Sequence, residues 1–177
     1  MIELAAILAI SSNNVIGVDG DIPWDCSEDL RRFRKITQFQ TVIMGRITKE
    51  SLLRKGVFPL KDRLNFVVTS DAAAWNDQDD MACSVPSVAE ALRVAESVGI
   101  GKNAFIIGGA RLYEENIGAC STIYLTRIHK HIKAGPSSIV TKVRPDLINY
   151  QDFETENLGT AKGGLATFFK LTRRQIK

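Results

Sequence analysis

Short apolar runs alternate with helical patterns along most of this chain, and that alternation restricts the fold more than any other feature. The runs are Glu3–Ile10, Thr41–Met44, Leu64–Thr69, Ala104–Ile107 and Thr122–Ile128. Runs of this kind mark strands covered on both faces. Between them lie segments with helical spacing. Ser27 is placed to N-cap a helix over Glu28–Thr37, Arg46–Arg54 follows the second strand, Ser87 caps Val88–Val98, and Ala110–Ile117 follows a Gly-Gly pair. Strands alternating with helices of about ten residues imply a largely parallel sheet with helices on its faces. The end of the chain departs from this rhythm. Leu165–Thr172 reads as a strand, with Gln151–Asn157 as its hairpin partner across the Gly159 and Gly163-Gly164 turn region. The expected fold is α/β: a single doubly wound, mostly parallel central sheet with an antiparallel C-terminal hairpin.

At 177 residues the chain suits one domain spanning residues 1–177. It is long enough to bury a core without a disulfide or metal staple. Lys and Arg number 23 against 20 Asp and Glu, a net charge of +3 that is too mild for a nucleic-acid surface. The locally basic tail Lys170–Lys177 reads as a solvated strand end. Cys26, Cys83 and Cys120 are widely spread without C-x-x-C spacing, so a reducing cytoplasm is expected, with neither zinc nor a disulfide framework. The opening MIELAAILAI has no basic n-region and no long apolar span, so neither a signal peptide nor a membrane segment is expected.

Asp29 is the most informative single residue. On its expected helix it shares a face with Phe33 and Ile36, with Leu30 adjacent, while Arg31, Arg32, Arg34 and Lys35 fill most of the remainder. Asp is seldom buried without a partner, and burial raises its pKa, which suits binding or protonating a ligand. The alternative is that Asp29 only complements the macrodipole in the first turn.

The stretch Phe105–Tyr113 runs from a buried strand through Gly108-Gly109 into a helix, where backbone N–H groups can receive an anion. A tight strand–helix turn without a ligand fits the same residues. Gly45-Arg46 with Thr48, and Thr69-Ser70, place phosphate-friendly residues at two further strand ends. Three such ends point to a ligand lying across one edge of the sheet. The loop Asn13–Trp24, with Gly17, Gly20 and Pro23-Trp24, is long for a connection without regular structure and suits a lid. His129 and His131 alternate on a strand, but no third ligand accompanies them and no metal is expected.

Taken in order, Ala5-Ala6-Ile7, Val15-Ile16-Gly17, Pro23-Trp24, Asp29-Leu30-x-x-Phe33, Val42-Ile43-Met44-Gly45-Arg46-x-Thr48, Arg63, Ile107-Gly108-Gly109-x-x-x-Tyr113 and Leu125-Thr126-x-Ile128 strongly resemble dihydrofolate reductase. The resemblance implies a dihydrofolate-reductase-like fold whose cleft holds NADPH beside dihydrofolate. Hydride would pass from the nicotinamide to the pterin, giving tetrahydrofolate for one-carbon metabolism and thymidylate synthesis. A cytoplasmic monomer, open to antifolates and binding neither nucleic acid nor membrane, is what such a resemblance implies.

It further implies that Asp29 is the ionisable side chain on the pterin, supported by Thr126, with Trp24 and Tyr113 beside the reacting rings. Ala5, Ile7, Leu30, Phe33, Leu52, Leu60 and Ile107 would line the substrate pocket, Arg34 would lie near the substrate tail, and Arg63 would grip its glutamate α-carboxylate. Cofactor neighbours would be Ala6, Ile7, Ile16, Gly17, Ile22, Gly45, Arg46, Ile47, Thr48, Thr69 and Ser70. Gly108, Gly109, Ala110, Arg111 and Leu112 would lie under the pyrophosphate, with a cis Gly108–Gly109 peptide. The choice of NADPH over NADH follows from Arg46, Ser70 and Arg111.

Four departures from the family pattern stand out. Ile47 replaces a residue that is often basic, Lys49 stands where an aromatic is frequent, and Arg54–Pro59 holds a short insertion. Pro136 follows Gly135 where an acidic residue often clasps the mobile loop, and it has neither a carboxylate nor an N–H, which implies a weaker closed state and altered product release. Two rival readings share the fold: the pyrimidine reductase of riboflavin synthesis, and a non-catalytic reductase-fold structural subunit. Asp29 and Arg63 favour folate over the first; Trp24, Thr126 and the glycine pair speak against the second.

Overall fold

In the computed structural model, which describes residues 1–71 and 81–175, β1 (Glu3–Ser11) runs through the interior of an eight-stranded sheet. It pairs in parallel with β6 (Asn103–Gly108) on one side and β7 (Thr122–Ile128) on the other. Beyond β6 the parallel array continues through β3 (Thr41–Gly45), β4 (Leu64–Val68) and β5 (Ala82–Val85). Beyond β7 comes β10 (Ala166–Arg173), antiparallel to β7, and then β9 (Phe153–Thr160), antiparallel to β10, the hairpin pairing that the C-terminal pattern predicts.

The alternation of side chains along β1 sorts the helices onto two faces. Ala6, Leu8 and Ile10 pack with α3 (Val88–Val98) and α4 (Ala110–Asn116). Ala5 and Ile7 point the other way, onto Phe33 and Ile36 of α1 (Ser27–Thr37). Val42, Met44 and Val67 continue that second face beneath Leu52 of α2 (Arg46–Arg54). Both faces are dry, so these strands carry apolar residues at successive positions.

Several local details differ from the sequence reading. Ser27 is the first helical residue of α1 and not its cap; Cys26 holds the N-cap position without a side-chain hydrogen bond. Ser87 does cap α3, its Oγ accepting from Glu90 N at 3.2 Å. The loop Asn13–Trp24 is not irregular throughout, since Val15–Val18 forms β2 and pairs antiparallel with β8 (Val140–Lys142). Strands of three or four residues, β2, β5 and β8, are too short for periodicity to reveal.

His129 and His131 lie past the end of β7 and find different partners, Thr167 Oγ1 at 2.9 Å and Asn13 Nδ2 at 3.4 Å. Arg173 in the basic tail is not merely solvated: it donates to Cys120 O and Gly118 O, with its guanidinium 4.5 Å from the Phe153 ring centroid. Residues 176 and 177 of that tail lie outside the described residues. All three cysteines are free thiols.

A buried amide fixes the approach to the cleft. Asn65, fully buried on β4, accepts from Leu60 N at 3.0 Å and donates to Leu60 O, Arg63 O and Met81 O. One side chain therefore fastens the 60–63 turn and the start of β5 to the sheet. Asn65→Ala removes the side-chain partner of Leu60 N, Leu60 O and Arg63 O, while Met81 O keeps the Asn65 backbone N–H at 2.7 Å, and urea denaturation is expected to show a loss of roughly 2–4 kcal/mol at unchanged m-value. A loss within a few tenths of a kcal/mol would mean that water replaces the amide.

Candidate active site

α1 packs its Phe33–Ile36 side on β1, which leaves Asp29, one turn earlier, looking into a cleft of about 830 Å³. The cleft lies between α1, α2 and the loop after β2, and Ile7 and Ile107 on the strands also line it. Its walls are mostly apolar. Ile22, Leu30, Ile47 and Val57 are large apolar side chains between 46 and 55% exposed, and all four line it. Concentrated exposure of this kind in a concave site indicates a ligand that covers it.

Thr126, buried on β7, donates its hydroxyl to Asp29 Oδ1 at 2.5 Å. Burial pushes the Asp29 carboxyl above the ordinary carboxylate range, opposed by that hydrogen bond and by the Arg32 charge. Tyr113 is buried on α4, and burial keeps its phenol neutral; it donates to Ile7 O at 2.9 Å. Trp24 also lines the cleft. The four residues singled out by the sequence for chemistry thus converge from a loop, two helices and a strand.

The raised Asp29 pKa has a stability consequence with a definite sign. As pH rises from the unfolded value near 3.8, the unfolded chain releases this proton before the folded one. Stability therefore falls through the window up to the folded pKa, and the deficit persists above it. Asp29→Asn removes the deficit, so its Tm at pH 7 is expected to exceed that of the wild type by roughly 1–4 °C. The advantage disappears at acid pH. Thermal unfolding at the two pH values reads both.

Arg63 is only 6% exposed, and its guanidinium is anchored from three sides. Nε donates to Thr37 Oγ1 at 2.8 Å, one terminal nitrogen to Lys61 O at 2.5 Å and the other to Arg34 O at 3.2 Å. Three of five N–H groups are used, which leaves two for a ligand, held in fixed orientation. The inserted turn does not displace Leu60, which lines the cleft with Phe58, Leu52 and Arg34 and is fixed by Asn65. The Phe58–Pro59 peptide is cis.

At the other end of the cleft β3 and β6 close on each other. The Gly108–Gly109 peptide is cis, as the resemblance implies. Gly108 has φ +135°, and a Cβ there would meet Thr48 Oγ1 at 2.8 Å, so glycine alone fits. Gly109, Thr48, Ile16, Gly17, Ile22 and Ile47 line this end. Neither α2 nor α4 has a side-chain cap, and their free N–H groups begin where the strands end. A narrow, glycine-built, N–H-rich edge fits a phosphate-bearing cofactor.

Other expected cofactor neighbours sit outside the cleft. Gly45 ends β3 beside Gly109, and Thr69 and Ser70 follow β4. Arg46 and Arg111 are exposed and each pairs with a carboxylate four residues on, Glu50 at 2.5 Å and Glu115 at 2.6 Å. Ala5, expected in the substrate pocket, is instead buried beneath Phe33 and does not line the cleft, and Ala110 packs at the start of α4. The Ala6 and Leu112 side chains face the α3 side of the sheet, so only their backbone is available to a ligand in the cleft.

The loop over the cleft is clasped differently from the expectation at Pro136. Asp19 N donates to Ile139 O at 2.8 Å, and Ile139 N donates to Asp19 Oδ1 at 2.7 Å. The carboxylate missing after Gly135 is supplied by the loop itself, and Ile139, the residue before β8, supplies the N–H. Asp21 adds an ion pair to Lys55 and a 3.3 Å hydrogen bond from Ser51 Oγ, while Gly20 O accepts from Arg54. The sequence reading missed Asp19, Asp21, Lys55, Thr37 and Asn65. The contacts that matter here, Asp19 with Ile139, Asp21 with Lys55 and Thr37 with Arg63, span 120, 34 and 26 residues, so spacing carries no trace of them.

A family model described as dihydrofolate reductase matches residues 3–157. Over 126 residues, 71% of this chain and 69% of the relative, the sequence is 37% identical to the dihydrofolate reductase of Bacillus subtilis (strain 168). Over 180 residues, 99% of each chain, it is 34% identical to dihydrofolate reductase type 8 of Escherichia coli. Among solved structures, dihydrofolate reductase from Enterococcus faecalis complexed with NADP(H) and RAB-propyl is similar at a TM-score of 0.75. That pair is 28% identical, with 98% of this chain and 97% of that one covered.

Proposed function

The chain belongs to the dihydrofolate reductase family, and from that premise we propose that its cleft reduces 7,8-dihydrofolate to 5,6,7,8-tetrahydrofolate with NADPH as hydride donor. The observation that carries the assignment of residues is the Asp29–Thr126 pair at the bottom of an apolar cleft. The rival readings, a riboflavin-pathway reductase and a structural subunit, have no observation in their favour.

In this reading Asp29 accepts hydrogen bonds from the amino and amide-like nitrogens of the pterin, and Thr126 fixes the carboxylate rotamer. A water held beside the carboxyl delivers the proton, and the apolar walls exclude competing water. Phe33, Leu30, Leu52 and Leu60 sandwich the aromatic rings, and Arg63 takes the glutamate α-carboxylate with its two remaining N–H groups. When bound, NADPH supplies the hydride. Gly108, Gly109 and the first turns of α2 and α4 bind its phosphates, with Arg46 and Arg111 released from Glu50 and Glu115 to assist. Tyr113 and Trp24 shape the nicotinamide site, and the 16–24 loop covers it. The protein acts as a cytoplasmic, single-domain monomer supplying one-carbon metabolism.

Absorbance at the nicotinamide band tests this directly. With NADPH and dihydrofolate the purified protein is expected to turn over, faster than with NADH. NADPH oxidation that does not depend on dihydrofolate, or turnover only of a ribityl-phosphate pyrimidine, would overturn the assignment.

A further inference from the structure

Arg32 belongs by sequence to a solvated basic set with Arg31, Arg34 and Lys35, yet it does not share their surroundings. Those three are exposed, whereas Arg32 turns under α1 against the sheet. Its guanidinium lies 5.6 Å from the Tyr124 ring centroid and 5.2 Å from that of Phe168. One terminal nitrogen donates to Phe169 O at 3.2 Å. The other is shielded from solvent and has no hydrogen-bond partner.

A cation held like this is costly, because a guanidinium N–H removed from water without an acceptor loses its solvation. Aromatic faces on two sides recover part of that loss through cation–π attraction. The nearest compensating anion along its own helix is Asp29, one turn earlier, where residues at i and i+3 are neighbours. Arg32 gives its hydrogen bond to Phe169 O, and Asp29 receives its own from Thr126, so the two charges act on each other through space. Both groups are partly buried, which weakens solvent screening of that interaction.

Resting on the role proposed above for Asp29, we propose that Arg32 is a positioning residue: clamped between Tyr124 and Phe168, it opposes protonation of the Asp29 carboxylate and so sets the pH above which turnover falls. The other groups that face the carboxylate do not substitute for it. Thr126 on β7 and Tyr113 on α4 are neutral donors. Glu28 turns away to accept from Lys162 N, and Asp25 before the helix is exposed. Lys170 on β10 lies opposite Tyr124 in register, with Glu156 of β9, of opposite charge, as its partner on the other side.

The sign does not depend on where the proton resides. A fixed cation disfavours a proton on the carboxyl and equally on a pterin nitrogen beside it. Removing the cation lets the proton stay to higher pH. The pKa of Asp29 is accordingly opposed by Arg32, and that of Arg32 is itself lowered by burial.

The test compares Arg32→Gln and Arg32→Met with Arg32→Lys in the full chain. Carbon-13 NMR of the Asp29 carboxyl, assigned with Asp29→Asn, reads protonation without any need for activity. Single-turnover hydride transfer against pH reads the consequence. In the neutral variants the carboxyl is expected to titrate at higher pH. The rate one unit above the wild-type midpoint, relative to the low-pH plateau, is expected to rise roughly three- to tenfold. Arg32→Lys keeps the wild-type profile. If Arg32→Met does not fold, Arg32→Gln, which keeps a donor for Phe169 O, gives the same reading. An unmoved carboxyl titration with a rate lowered equally at all pH overturns the proposal and leaves the reductase assignment standing. A flat rate profile in Asp29→Asn at wild-type level would instead overturn the role of Asp29.

Discussion

Asp29→Asn is expected to slow hydride transfer by roughly 10²–10⁴-fold at neutral pH, the range of a lost acid–base group, with NADPH affinity unchanged. Asn keeps the shape of the side chain and can still accept from Thr126 Oγ1, so the loss isolates the ionisable oxygen. The pH profile carries the stronger information. Because burial holds the folded carboxyl above its ordinary range, the wild-type rate is highest at low pH and falls as pH rises through that folded value. The variant has no carboxyl to set a plateau, and its rate continues to climb as solvent protonates the pterin directly. Single-turnover measurements across pH distinguish the cases. A variant that retains the wild-type midpoint would mean another group handles the proton.

The second large effect concerns Arg63. Arg63→Lys keeps the charge but loses the planar fork, and the KM for dihydrofolate is expected to rise roughly 10- to 100-fold with kcat reduced far less. Arg63 also ties Thr37, Lys61 and Arg34 together, so some general loosening accompanies the change. A substrate truncated before the glutamate separates the two effects. Recognition of the α-carboxylate predicts that wild type and variant handle the truncated substrate alike. An equal KM increase for both substrates would reduce Arg63 to a structural tie.

These residues were legible in the sequence to very different degrees. Asp29 stood out because a carboxylate on an apolar helical face violates the pattern around it. Gly108-Gly109 stood out because two glycines between a buried strand and a helix imply close approach, and Thr48 Oγ1, 2.8 Å from where a Cβ on Gly108 would sit, is the neighbour that requires it. Ser27 misled, because a good capping residue adjacent to the helix start is not necessarily the cap. Arg32 misled more. By residue type it belongs with Arg31 and Arg34, although its spacing sets it nearer Asp29 and Ile36, and only the placement of β7 and β10 against α1 reveals two aromatic rings waiting for it. Pro136 suggested a missing clasp, while Asp19 supplied one from the other side of the contact.

The sequence by itself determined the order and type of the long elements, the parallel sheet closed by an antiparallel hairpin, and the family. Those properties follow from hydrophobic periodicity and from short motifs, which are local and therefore written along the chain. The tertiary structure alone decided which charges are solvated and which are held, how the loop over the cleft is fastened, and which side chains brace Asp29 and Arg63. Each of those depends on pairs such as Asp29–Thr126, Arg32–Phe169 and Asp19–Ile139, separated by 97, 137 and 120 residues. Their energies come from desolvation and directional hydrogen bonding, and both are defined only once distant segments have been packed together.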